Sequence, residues 1–238
     1  MRFPLHLLAA PLTAFVLAFP VTTWAQRVPL PPKDVRLDQL ARDTQRTDIG
    51  DDTLELVWLI PQRYWEASAA QQPSLSDEDR KQFLSQLDGY LLFATVRGKV
   101  GIAGIDQFAS AEAVRDGLRI VDAAGTSHAP LAPEQVPAPL KNLLSVLRPV
   151  MANMIGPMGD NMHFVVFASR DAKGRPVFDP LSEGRIQVIT SRRAYPFRTP
   201  LGSVLPPRLD ASTGESFPGD YHYNPYTGGA LKDAAQPR

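Results

Sequence analysis

The sequence predicts an α+β fold: a largely antiparallel or mixed sheet with several helices and a short C-terminal appendage. Three observations carry this. Strand-like and helix-like segments are mixed along the chain without the regular strand–helix alternation that a doubly wound parallel sheet needs. Two adjoining apolar runs, Tyr90 to Arg97 and Val100 to Ile105, read as a β-hairpin about Gly98-Lys99, with glycine at the first turn position. The 238 residues contain no cysteine, so stability rests on a packed core, which a chain of this length can bury.

Taken in order, residues 1–25 read as an export signal. Arg2 supplies the positive start, Leu5 to Val21 is an uncharged apolar run, and Thr23-Trp24-Ala25 offers small residues before a cut at Gln26. An uncleaved anchor is the competing reading, but Pro4, Pro11 and Pro20 punctuate a run slightly short of the ~20 residues that span a bilayer. A periplasmic or secreted protein without stable membrane insertion is expected. Residues 26–52 read as a polar, charged tether. Pro29, Pro31 and Pro32 favour an extended start, and a short helix falls around Leu37 to Ala41.

A core domain is expected over residues 53–191. Leu54 to Ile60 is a strand stopped by Pro61. Gln62 to Ala70 is a short helix carrying Tyr64 and Trp65. Ser76 caps a helix whose first turn is acidic, whose apolar face is Phe83, Leu84 and Leu87, and which Gly89 ends. After the hairpin, Ser110 caps a helix over Ala111 to Gly117, and Leu118 to Asp122 is a strand. Prolines make a loop between His128 and Pro139. Leu140 to Met154 has three/four apolar spacing, interrupted by Pro149, which should kink or split it. His163 to Ala168 and Arg185 to Thr190 are strands. Residues 192–209 read as a basic, proline-rich connector.

The last part, residues 210–231, is rich in Gly, Pro and Tyr. Asp210, Thr213, Asn224 and Thr227 stand at spaced positions, each pair followed by a glycine, Gly214 or Gly228, with Pro225 inside the second group. This pattern resembles the small bacterial four-cysteine zinc ribbon, with all four cysteines replaced. The resemblance implies two knuckle-like turns. Thr and Asn are poor zinc ligands, so no metal is expected; Asp, Thr and Asn instead suit hydrogen bonds to turn amides. Such a ribbon implies a docking element.

Composition narrows the chemistry. Acidic and basic residues balance to zero net charge, so no global field attracts nucleic acid. Absence of cysteine removes thiol nucleophiles, thiolate metal sites and lipid attachment at the signal. No phosphate loop, nucleophile elbow or zinc-protease motif occurs, and no cofactor is called for. Asp160 and His163 stand at the mouth of a strand and are the candidate acid–base pair of a small hydrolase, or a structural histidine and its neighbour. Met151, Met154, Met158 and Met162, with His163, offer soft ligands for Cu(I) in a copper-handling protein, or fill gaps in the core. Asp48 to Asp52 is an acidic cluster that suits Ca²⁺ or a solvated linker. Ser127-His128 makes a poor dyad, since adjacent extended residues point apart. The run Arg192 to Arg198 reads as a solvated strand exit or a docking patch. The leading expectation is a non-enzymatic envelope protein that meets a protein partner through Tyr195, Phe197, Phe217, Tyr221, Tyr223 and Tyr226, residue types that dominate interfaces or pack on their own domain.

Overall fold

The computed structural model describes residues 27–234, apart from residues 103 and 157; the expected export segment lies outside the described residues. The fold is α+β, as the sequence predicts. Five α-helices, α1 (Leu37–Thr44), α2 (Gln62–Ala70), α3 (Asp77–Leu87), α4 (Ala111–Asp116) and α5 (Ala138–Ile155), accompany three antiparallel sheets among the described residues.

The first sheet runs β1 (Gln45–Gly50), β2 (Thr53–Ile60), β3 (Tyr90–Gly101) and β4 (Gly104–Asp106). The long β3 pairs at one end with β4 and at the other with β7 (His163–Ala168). The second sheet runs β6 (Ser127–His128), β5 (Arg119–Val121), β8 (Gly184–Ile189) and β9 (Ala194–Thr199). Both sheets feed one core, in which Leu59, Phe93, Ile120, Phe167, Val188 and Phe197 are fully buried. β2 is buried along nearly its whole length. Its Trp58 meets Tyr64 of α2 edge-to-face at 5.2 Å, and the aromatic contacts continue through Trp65 to Phe83 of α3. By alternation, Glu55, Val57 and Leu59 face the other way, toward the second sheet.

Both caps form: the Ser76 hydroxyl accepts from the amide of Asp79, and that of Ser110 from the amide of Ala113. α5 continues through Pro149 as one helix and ends at Gly156, whose φ of 81° suits only glycine well.

Three expectations are corrected. The tether is part of the fold. α1 is longer than expected and buries Leu40, and β1 pairs residue for residue with β2, from Gln45↔Trp58 to Gly50↔Thr53. Asp51 and Asp52 make the tight turn, both at positive φ, which aspartate tolerates better than most residues. The polar β1 has little strand propensity of its own; pairing with a buried neighbour overrides that.

The hairpin does not turn at Gly98-Lys99. β3 runs through both residues, and the chain reverses after Gly101, which pairs with Gly104. Gly98 serves close packing instead: a Cβ there would lie 2.6 Å from Ile105 and 2.9 Å from Phe108. Finally, the connector 192–209 contains β9, an edge strand of the second sheet. Pro196 is tolerated there because an edge strand needs no second row of donors. The core domain therefore extends past residue 191, with Leu201, Val204 and Leu205 in its core.

Candidate functional site

The C-terminal arm is built from β10 (Arg208–Asp210), β11 (Ser216–Phe217) and β12 (Leu231–Asp233), paired in the order β11–β10–β12. Two turns with matching hydrogen bonds shape it. In the first, Asp210 Oδ1 accepts from the amides of Ser212 (2.8 Å) and Thr213 (3.3 Å), and the Gly214 amide donates to the Asp210 carbonyl at 2.8 Å. In the second, Asn224 Oδ1 accepts from the amides of Tyr226 (2.9 Å) and Thr227 (3.3 Å), and the Gly228 amide donates to the Asn224 carbonyl at 2.8 Å. The Thr213 and Thr227 hydroxyls each accept from the amide two residues on. Gly214 and Gly228 have φ of 72° and 73°, which a side chain would strain.

One bond joins the two turns. Asn224 Nδ2 donates to the second carboxylate oxygen, Asp210 Oδ2, at 2.6 Å, with both residues buried. The hydroxyl of Ser212, the Asn224 amide and the Ser212 backbone amide all stabilise the anion, so the Asp210 carboxyl sits well below the usual carboxylate range. Asp210 is thus bonded to Thr213 and Asn224 to Thr227 within their turns, and the Asp210–Asn224 bond joins the two pairs. Among the described residues no three His, Asp or Glu side chains cluster as a metal site.

The arm rests on its own chain. The Arg27 guanidinium donates to the carbonyls of Gly219 and Pro206 and pairs with Asp233 at 2.9 Å. Gly202 and Gly219 pack where any Cβ would overlap Asp220 or Leu205. Between the N-terminal segment, residues 181–183 and the arm lies a cleft of about 610 Å³. Leu181 and Leu205 supply apolar wall, and Arg27, Arg208, Asp220 and His222 supply polar groups. Burial holds the Asp220 carboxyl above its ordinary range, with the Asp43 carboxylate adding to the effect. None of these residues stands out in the sequence, because Arg27 and Gly219 meet across 192 positions.

The aromatic residues divide sharply. Tyr195, Phe197 and Phe217 are buried and offer no contact surface, which corrects their assignment as interaction residues. Phe197 also carries the Arg46 guanidinium 4.4 Å above its ring. The Tyr195 hydroxyl donates to Glu55 at 2.9 Å, and Thr190 donates to the same oxygen at 2.8 Å. Burial first, and then the Glu55 charge, raise the Tyr195 phenol well above its ordinary pKa. Tyr221, Tyr223 and Tyr226, by contrast, are 39%, 63% and 81% exposed.

The remaining candidates do not assemble. His163 Nε2 lies 3.1 Å from the carbonyl of Ala109, and burial lowers its pKa. Asp160 is exposed, and its backbone carbonyl accepts from Arg148, so the two side chains form no acid–base pair. Met151 and Met162 are buried in the core, Met158 packs partly against it, and Met154 is 56% exposed with its sulfur 3.8 Å from the Tyr64 hydroxyl. The Asp48 carboxylate is taken by Arg192 and Arg193, which answers both the acidic cluster and most of the basic run. His128 does meet an acid, at 2.8 Å from Asp122 across the β5–β6 turn. That carboxylate also accepts the amides of Ala124 and Thr126, as a turn-organising aspartate does.

Protein-family models, curated proteins and solved structures were each compared with this chain, and none matches.

Proposed function

We propose that the chain is an exported, soluble envelope protein with a binding role, acting through its C-terminal arm and not through catalysis. The observation that carries this is the display of Tyr221, Tyr223 and Tyr226 on a turn framework locked from within by Asp210 and Asn224. Exposed aromatics on a rigid frame give contact area while little side-chain freedom remains to be lost on binding. The neighbouring cleft of about 610 Å³ falls within the size range of ligand pockets and adds convergent polar groups to the same end of the molecule. The arm is, in this reading, a ribbon in which a hydrogen bond between two turns stands where a metal would join them. Its partner is an envelope protein.

The test places a photo-crosslinking residue at Tyr226 in cells expressing the full chain and identifies the adducts. A discrete protein adduct that disappears when Tyr221 and Tyr223 are changed to Ser supports the reading. No adduct beyond that formed from an exposed control position such as Lys173 rejects it. Mass measurement of the protein recovered from the envelope fraction checks export: the mature chain should begin at Gln26, and an intact residue 1 would reject cleavage.

A further inference from the structure

The second sheet turns one face to the core and the other to solvent. Ile186 and Val188 of β8 and Tyr195 and Phe197 of β9 point inward. By alternation, the outer face carries Arg185, Gln187 and Ile189 on β8, and Arg198, Pro196 and Ala194 on β9. The register sets Arg185 directly opposite Arg198. Opposed side chains on neighbouring strands have Cβ atoms roughly 5 Å apart, and like charges at that spacing repel.

Both guanidiniums are exposed, and neither makes a hydrogen bond or ion pair among the described residues. Every other described arginine donates to a carboxylate, a backbone carbonyl or a hydroxyl. The contrast is sharpest within one basic run, where Arg192 and Arg193 share Asp48 and Arg198 is left without an acid. Glu183, two residues before Arg185, pairs with neither. Gln187 lies next along the same outer face and adds an uncharged donor. Arg198 also borders a cleft of about 420 Å³ with Arg42 and Asp43, but Arg42 is paired with Asp38, and Asp43 accepts the Ser203 amide. Arg185 borders a cleft of about 220 Å³ with Asp122 and Asp179, but Asp122 is taken by His128 and Asp179 accepts from Leu181 and Ser182, so neither arginine's charge is met there.

We propose that Arg185 and Arg198 form an anion-binding pair that holds a phosphate group on the outer face of the second sheet. A tetrahedral phosphate group, free or esterified, has oxygens that accept from two planar guanidinium forks at once, and its negative charge offsets the repulsion between them, whereas a single carboxylate fills only one fork. The phosphate is either free or the headgroup of an anionic lipid.

The experiment has two arms, each run on the wild type, R185Q, R198Q and the double variant. Thermal unfolding is followed as inorganic phosphate is added in a phosphate-free buffer. In parallel, co-sedimentation is measured with vesicles of phosphatidylglycerol in phosphatidylcholine, against phosphatidylcholine alone. A ligand that binds the folded state raises the midpoint. The wild type should respond in at least one arm, each single variant should lose about tenfold in affinity, and the double variant should not respond. The double variant should itself melt no lower than the wild type, because a repulsive pair has been removed. Response to phosphate identifies a free ion; response to vesicles alone identifies a headgroup. Silence of the wild type in both arms overturns the proposal, as does a double variant that responds like the wild type.

Discussion

Asn224 donates its side-chain amide to Asp210 across 2.6 Å of buried space, and this bond links side chain to side chain two turns whose strands also pair, β10 with β12. Each partner uses its other oxygen to organise its own turn. Neither residue can be replaced without disturbing both the local turn and the link between turns.

Asn224→Ala should therefore loosen the arm while leaving the two main sheets intact. Hydrogen exchange should speed up within residues 208–234 and stay unchanged in β2 and β3. Equal protection of the arm in variant and wild type would show that the bond does not hold it.

The same link sets a pH dependence. The Asp210 carboxyl is depressed in the folded state, so its stabilisation is complete above the ordinary value of 3.8 and is lost as pH falls through the folded value. The arm of the wild type should loosen on acidification below that point. Asp210→Asn sets an amide against the Asn224 amide, so it should loosen the arm already at neutral pH and respond less than the wild type over the acid range. Exchange of arm amides against pH reads both.

Placing thiolates at the four turn positions tests how well the turns are placed. The variant D210C/T213C/N224C/T227C should bind one zinc ion per chain under reducing conditions, since four thiolates in two such turns suit a closed tetrahedral site. Metal analysis after gel filtration checks this. A metal-free product with an otherwise folded core would show that the turns do not converge as ribbon knuckles do.

Glu55 ties the two main sheets together by accepting from Thr190 and Tyr195, 135 and 140 positions away. Tyr195→Phe removes one donor and should cost about 1 kcal/mol. Glu55→Ala removes the shared acceptor and leaves the buried Tyr195 hydroxyl unpaired, whereas Thr190 keeps the carbonyl of Arg193, and should cost about 2–3 kcal/mol. Urea unfolding measures both. Equal costs would mean that the carboxylate is not the shared acceptor.

Gly159→Ala probes the turn after α5, where a Cβ would overlap the backbone carbonyl of Ala152. Backbone cannot swing aside as a side-chain tip can, so the cost should be about 1–3 kcal/mol. Gly89→Asn is a contrast: its φ is positive but the space is open, so asparagine should be tolerated far better.

Much of the fold was legible in local signals. The Ser76 and Ser110 caps and the strands β2 and β7 follow from residues a few positions apart. The turn chemistry of the arm was legible for the same reason: Asp, Asn and Thr before glycine answer to amides two or three residues on. β1 was not legible, because its Arg and Asp residues have no strand preference and gain one only beside β2. Gly98 misled because glycine suits a turn and a close approach equally well, and only Ile105 and Phe108 decide between them. Among the aromatic candidates Tyr195, Phe197 and Phe217 misled for a similar reason, since exposure is not written in residue type.

By itself, the sequence determined the α+β class, the helix starts, and the hydrogen-bonding vocabulary of the two arm turns. Each of these depends on interactions within one or two turns of chain. Only the tertiary structure decided that Asp48 meets Arg192 and Arg193, that Glu55 receives Tyr195, that Arg27 holds the arm, and that Arg185 faces Arg198. Apart from the last, a cross-strand register, those contacts join residues more than a hundred positions apart. Each partner's charge or polarity is visible in advance, but which one it meets is set by how the two sheets pack around a common core.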